Sequence, residues 1–495
     1  MSLIRTQGEF VELDVSEDLR NSPVYNDDLA PTKISQRTWN KWHIMSLWVG
    51  MAICVPTYTL GAVLTSYFGL TIMEALWTIL AANIIVLVPL ILNAHPGTKY
   101  GIPFPVLLRS SFGIYGSNLP ALIRALIACG WFGIQTMFGG LAIHLFLARI
   151  FPAWGELGGV GEVIGFGIFW VLNIYVVVKG SKAIQILETI AAPLLIIVGV
   201  VLLVWAIPQI DVPALLAAPA KRPVADSAWP YIFAGLTAMV GFWATLSLNI
   251  PDFSRYAVSQ KDQTLGQIFG LPLTMFLFSM LGVVLTAASP ILVGEVVSDP
   301  VNLIGKIDSP IMGAFGLFIL FVATISTNAA ANVLSPANDF QNAFPKKINF
   351  KRGVYLTGFI GILLMSWELM RKVGLVQSDV SVESIYSNWL LSYSNLLGPI
   401  AGIMIMDYFV IKKQQIHLID IYKVNGVYPK INRAGMLAFL IPVSFTTFCL
   451  MTDTNLWVYK YGWFVGSALG AIIYFVSSRH IFQSDTMKEF AHGIK

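Results

Sequence analysis

Trp131 and Gln135 stand four residues apart in the stretch "CGWFGIQT", inside a long apolar block. On a helix such positions are neighbours, about 5–6 Å between Cβ atoms. An indole face and a primary amide are then presented side by side. The amide offers one acceptor and two donors. A flat heterocycle with alternating N–H and C=O groups could stack on the indole and pair with that amide. The alternatives are an inter-helix hydrogen bond for Gln135 and plain core packing for Trp131. A second stretch, "FVATISTNAAANVLSPANDF", carries Thr324, Ser326, Thr327, Asn328, Asn332 and Ser335 among alanines. Close helix packing accounts for the alanines. The adjacent hydroxyls of Ser326 and Thr327 are hard oxygen donors of the kind a small cation such as sodium takes.

Groupings for enzyme chemistry do not emerge. The six histidines are scattered without ligand spacing, and Cys54, Cys129 and Cys449 all fall in apolar blocks with no disulfide or metal pattern. There is no phosphate loop, zinc-protease motif or nucleophile elbow. A membrane-embedded enzyme would need a buried acid–base or metal cluster, so no catalytic residue and no organic cofactor is expected.

The elements that must hold these residues follow from composition. Of 495 residues 56% are hydrophobic and 12% charged, against about 25% charged in soluble domains. The apolar residues come in blocks long enough to cross ~30 Å of hydrocarbon as helix, and backbone groups in lipid must be satisfied within each span. The expectation is an all-α polytopic membrane protein of about twelve transmembrane helices. The blocks lie near 44–67, 70–95, 119–149, 160–180, 184–207, 229–250, 266–293, 310–333, 353–370, 386–411, 434–452 and 457–478. The net charge of +4 sits in loops, so nucleic acid is not an expected partner. The first 40 residues are polar and mixed in charge, which argues against a cleavable signal peptide.

With the N-terminus inside, 23 of the 31 Lys and Arg fall in inside segments and 7 in outside loops. That bias places both termini in the cytoplasm. The remaining cation, Arg124, lies within the third block and is expected in its outer or middle part, facing Glu74 or backbone carbonyls. Asp252, Asp339 and Asp407 fall at cytoplasmic span ends, where capping or gating contacts are the ordinary role. Residues 371–385 read as a longer outside loop, and the terminal segments as short tails.

Two spans look interrupted. The first has Gly50 and Pro56 close together, and proline removes a backbone donor and clashes with the preceding turn. The sixth has Gly235 and Gly241, with Pro251 at its end. Broken helices at corresponding positions of two halves point to a transporter site near the bilayer midplane, although a simple kink also explains a proline.

The chain resembles the nucleobase–cation symporter family 1 along nearly its whole length. The likeness is carried by "NDDLAPTKISQRTW", "NAHPGTKYGIPFPVLLRSSFGIYGSNLPALIRAL", "GWFGIQT", "FWATLSLNIPDFSR", "ATISTNAAANVLSPAND", "INFKRG" and "LLGPIAGIMIMDYF". The resemblance implies a leucine-transporter-like fold with a five-plus-five inverted repeat and two further helices. Residues 1–43 would be a cytoplasmic segment and 44–411 the transport core, with repeats 44–207 and 229–411. Residues 434–478 would form the two added helices and 479–495 the cytoplasmic tail. It also implies that a substrate ring lies between Trp131 and Trp243, with polar contacts from Gln135 and Asn332. Where a hydantoin-transporting member has a glutamine in span 1, this chain has Cys54. The implied sodium site comprises Gly50, Ile53, Ala323, Ser326 and Thr327, with proton coupling as the alternative. The outer gate of the family falls on span 10, around Trp389 and Leu390.

The expected function is therefore cation-coupled import, by alternating access, of a small planar nitrogen heterocycle such as a hydantoin, allantoin or a pyrimidine nucleobase. The protein would act as a multi-pass monomer in the cell membrane. An amino-acid or amine symporter of the same fold is the alternative, and a nutrient sensor would carry a longer signalling tail.

Overall fold

The computed structural model describes residues 3–179, 181–377, 382–452, 454 and 456–482. A short hairpin, β1 (Ile4–Gln7) and β2 (Phe10–Leu13), opens the chain. The first helices are α1 (Lys41–Ala52), α2 (Val55–Ser66), α3 (Ile72–Tyr100), α4 (Phe104–Phe112), α5 (Asn118–Ile150), α6 (Gly159–Val178) and α7 (Ser181–Ala206). There follow α8 (Trp229–Phe242), α9 (Ala244–Asn249), α10 (Pro251–Ser254), α11 (Gln260–Val293), α12 (Pro310–Asn332) and α13 (Leu334–Ala343). The last are α14 (Phe350–Lys372), α15 (Val382–Ile405), α16 (Arg433–Met451) and α17 (Gly462–Phe482). Among the described residues, eight helices are long and apolar enough to span a membrane, nine if the bent pair α1–α2 counts as one. Shorter apolar helices cover Ile196–Gln209, Trp229–Phe242 and Gly462–Ser478, inside the three remaining apolar blocks.

Local chemistry sets the ends and breaks. Asn40 caps α1 by accepting from Trp42 and His43 N–H, and a reciprocal Thr71–Glu74 box caps α3. Between α1 and α2 the axis bends by 59°. Pro56, in the first turn of α2, cannot continue a ladder from α1. The sixth block breaks at Trp243, between α8 and α9, and the eighth at Val333, between α12 and α13. Helix α5 packs against α6, α12, α13 and α14, while α11 packs against α1, α2 and α3.

Four expectations change. Arg124 lies two turns into α5 and pairs with Asp339 of α13 at 3.4 Å, both fully buried; it does not reach Glu74. Glu74 instead holds Arg222 by two contacts of 2.6 and 2.7 Å. The two acidic groups sit at opposite ends of the bundle, so one cation could not serve both.

The stretch 371–385 is shorter than an extended loop: α14 runs to Lys372 and α15 begins at Val382, with 378–381 outside the described residues. Helix α17 continues to Phe482, and 483–495 lie outside the described residues.

The N-terminal segment is built into the protein. Arg37 donates to the carbonyls of Val11, Thr32, Thr98 and Lys99. Burial brings its guanidinium down to about 10. Trp39 bridges to Ala257, Asn26 donates to the carbonyls of Pro345 and Ile348, and Ser22 to that of Tyr422. A polar composition read as a tail because its partners are backbone carbonyls far along the chain.

Candidate functional site

The middle of α5 places Trp131 and Gln135 on one buried face, each 3% exposed. The break at Trp243 brings the second tryptophan to them. Phe242 packs edge-on against both indoles, its ring 5.3 Å from Trp131 and 4.9 Å from Trp243. Tyr393 of α15 meets Trp131 at 6.4 Å, and Trp48 of α1 meets Trp243 at 5.2 Å, both edge-on. Edge-to-face contacts of this kind hold ring planes in fixed orientations. The indole N–H groups of Trp48 and Trp243 are buried and, among the described residues, have no acceptor.

Helix α12 forms the polar wall. Asn328 donates through Nδ2 to the Phe132 carbonyl (3.2 Å) and to Thr136 Oγ1 (3.4 Å). Asn332 donates to Asn328 Oδ1 at 2.9 Å. This relay ties Asn332 to α5 beside Trp131 and Gln135. Gln135 Oε1, in contrast, is buried and accepts no hydrogen bond from the described residues. An orphaned buried acceptor costs about 1–3 kcal/mol, which a donor on a bound molecule would recover.

The expected cation residues also converge. Cys54 N–H turns to the Ala52 carbonyl, and Thr57 N–H to that of Cys54. The break therefore releases the carbonyls of Gly50 and Ile53 from the helical ladder. Thr327 Oγ1 donates to the Gly50 carbonyl at 2.9 Å. Ile53 and Ala323 share one buried apolar cluster, and the Ser326 hydroxyl is buried with no partner among the described residues. Released carbonyls beside two hydroxyls are an all-oxygen donor set that fits a small hard cation.

Cys54 is placed differently. Its thiol meets Thr57 Oγ1 at 3.2 Å within its own turn, and Thr57 in turn points to Met275 of α11.

A cavity of about 700 Å³ opens beside this face, lined by Gly130, Ile134, Met137, Phe138, Trp367 and Trp389 among others. Its rim carries the ion pairs Lys372–Glu162 (2.6 Å), Arg371–Glu368 (2.5 Å) and Lys306–Glu295. Trp389 and Tyr393, 5.5 Å apart, stand between the cavity and Trp131.

The glycines of the motif serve this packing. A Cβ on Gly130 would lie 2.6 Å from the Trp389 ring, and one on Gly133 2.5 Å from Met365 and 2.9 Å from the Gly361 carbonyl. They admit α14 and Trp389.

Phe242, Tyr393 and Trp48 were not singled out by sequence, since single aromatics in apolar blocks carry no mark of position. Asn328 had a signal: it lies four residues before Asn332, on the same helix face.

Comparison with known proteins follows this geometry. Residues 31–466 match the family described as permeases for cytosine/purines, uracil, thiamine and allantoin. The chain is 37% identical to the allantoin permease of Bacillus subtilis, over 92% of this chain and 93% of that one. It is 41% identical to a purine-uracil permease of Arabidopsis thaliana, over 81% of this chain and 66% of the relative. The solved structure of a nucleobase-cation-symport-1 family transporter, closed with bromovinylhydantoin bound, superposes with a TM-score of 0.77. It is 24% identical and covers 94% of this chain and 99% of its own, which shows the shared fold. The protein is thus a multi-pass membrane transporter and not an enzyme, and it belongs to the family of permeases for cytosine/purines, uracil, thiamine and allantoin.

Proposed function

We propose that the protein imports a small, uncharged, planar nitrogen heterocycle, such as allantoin, a hydantoin or a pyrimidine nucleobase, coupled to a cation. The ring lies between Trp131 and Trp243, and Gln135 and Asn332 read its amide edge. The observation that carries this reading is Gln135 Oε1, a buried acceptor without a donor one helical turn from an indole face. A zwitterion would want ionised partners. The ionised side chain of α5 nearest this face on its inner side, Arg124, is seven residues and about 10 Å away along the axis, and its contact is with Asp339 of α13 rather than with this face.

The lysine and arginine distribution supports cytoplasmic termini, and in that orientation the 700 Å³ cavity is the outer mouth. Trp389 and Tyr393 then lie on the way in. Alternating access moves α5, α6, α12, α13 and α14 against the remaining helices. Sodium held by Gly50, Ile53, Ala323, Ser326 and Thr327 joins span 1 to span 8 and favours one arrangement of the two bodies. The protein works as a monomer in this scheme.

The test is quenching of tryptophan fluorescence by allantoin, hydantoin, uracil and cytosine, with and without sodium. Gln135→Ala is expected to weaken binding of the preferred compound by roughly tenfold, with an unchanged melting temperature. A variant that binds the whole panel as tightly as wild type removes Gln135 from the site. Thr327→Ala is expected to lower sodium affinity by roughly tenfold or more, leaving binding without sodium intact. Binding that never responds to sodium in wild type would rule out the cation role.

A further inference from the structure

Two buried carboxylates of this protein are held in opposite ways. Asp407 accepts from Ser110, Ser111, Tyr474 and Lys412, so its charge is matched and both oxygens are engaged. Asp339 is fully buried on α13, yet it meets Arg124 through one oxygen at 3.4 Å, and its Oδ1 accepts from none of the described residues. The Nε and Nη2 of Arg124 are equally buried and donate to none of them. A committed arginine–carboxylate pair is short and often two-pronged; this one is neither.

Asp252, 1% exposed on α10, accepts from Phe104 N–H on one oxygen and from Ser335 on the other. Those bonds suit its ionised form. Ser335 receives in turn from Asn249, whose Oδ1 is a further buried acceptor without a donor. Ser335 on α13 thereby ties together α9 and α10. The charged and titratable groups facing Asp339 are Arg124 and Cys129 on α5 and Asp252 on α10. Arg255, just past α10, faces Asp252 and is turned to its neighbour Tyr256. Both guanidiniums are buried, but Asp339 faces only Arg124, through that one long contact, and it also faces Asp252; like charges out of water disfavour each other's ionisation.

We propose that Asp339 is a proton-binding site of the inner gate, holding a proton while Ser335 ties α13 to Asn249 and Asp252. Resting on the alternating-access reading above, the step is simple. Parting of α13 from α9 and α10 breaks the Ser335 bonds, carries Asp252 away and admits water. The Asp339 O–H bond breaks, the proton leaves to inner-side water, and the freed carboxylate takes up Arg124. The closed gate then holds one proton more than the open one. Falling pH favours closure, by at most about tenfold per pH unit.

The experiment is an infrared titration of the purified full-length protein from about pH 5 to about pH 9, following the carbonyl stretch of protonated carboxyl groups. Wild type is expected to keep such a band at about pH 7, and Asp339→Asn to lose it. Asp252→Asn, which removes the opposing charge, is expected to move its titration to lower pH by about one unit or more. That shift decides the matter should Asp339→Asn fail to fold. A wild type without the band, or a band untouched by both substitutions, overturns the proposal. Allantoin quenching on the same samples reads the transport proposal separately, since Asp339→Asn is expected to bind as wild type.

Discussion

Trp243→Ala is expected to weaken heterocycle binding by roughly five- to a hundred-and-fiftyfold, since stacking a base on an aromatic ring is worth about 1–3 kcal/mol. Radiolabelled allantoin in a scintillation proximity assay measures this without relying on tryptophan emission. The indole also packs edge-on against Trp48 and Phe242, so its removal leaves a hole costing about 3–5 kcal/mol in stability. Two further variants separate the effects. Trp243→Phe keeps a ring and is expected to retain most of the affinity. Trp48→Ala opens a comparable hole behind Trp243 without removing the stacking face, and should lower the melting temperature more than the affinity. Equal loss of affinity in Trp48→Ala and Trp243→Ala would mean that Trp243 acts through packing alone.

Lys412→Met carries an expected effect on stability as large as that of Trp243→Ala. Lys412 donates to Asp407 (2.8 Å), to Ser110 Oγ (2.7 Å) and to the Ser110 carbonyl (2.6 Å), at the end of the π-helical turn Met406–Ile411. Tyr474 of α17 donates to the same carboxylate. Three regions, α4, the end of the tenth block and α17, thus meet at one buried charge pair. Removing only the cation strands the Asp407 charge, at a cost of about 3–5 kcal/mol. Adding Asp407→Asn removes the stranded charge and is expected to recover most of the loss. Thermal melting of the purified variants checks both expectations, and a double variant no better than the single one would place the loss in packing of the lysine stem.

Much of the site was legible because its chemistry is local. Trp131 and Gln135 share a face by spacing alone, and Gly50 with Pro56 marks the break that frees the carbonyls of Gly50 and Ile53. Ser326 and Thr327 stand out among alanines. What escaped was set by partners distant in sequence. Arg124 meets Asp339 across 215 residues, and nothing near either residue announces the other. Phe242 has no local feature setting it apart from other apolar phenylalanines; only the break beside it turns its ring against both indoles. Gly130 and Gly133 flank Trp131 in sequence, but the bulk they admit, Trp389 and Met365, comes from helices more than 200 residues on.

The N-terminal segment has a consequence for how the chain is made. Ser22 donates to the carbonyl of Tyr422, and the Tyr422 hydroxyl to that of Leu29, contacts that span 400 and 393 residues. Synthesis proceeds at about 5–20 residues per second, so the segment that emerges first waits roughly 20–80 s for its seat to exist. Ten of the twelve apolar blocks are complete before then. Seating of Ser22 and Leu29 on Tyr422 is therefore a late event in biogenesis, closing a nearly finished bundle, whereas the partners of Arg37 and Trp39, at Thr98, Lys99 and Ala257, are made long before.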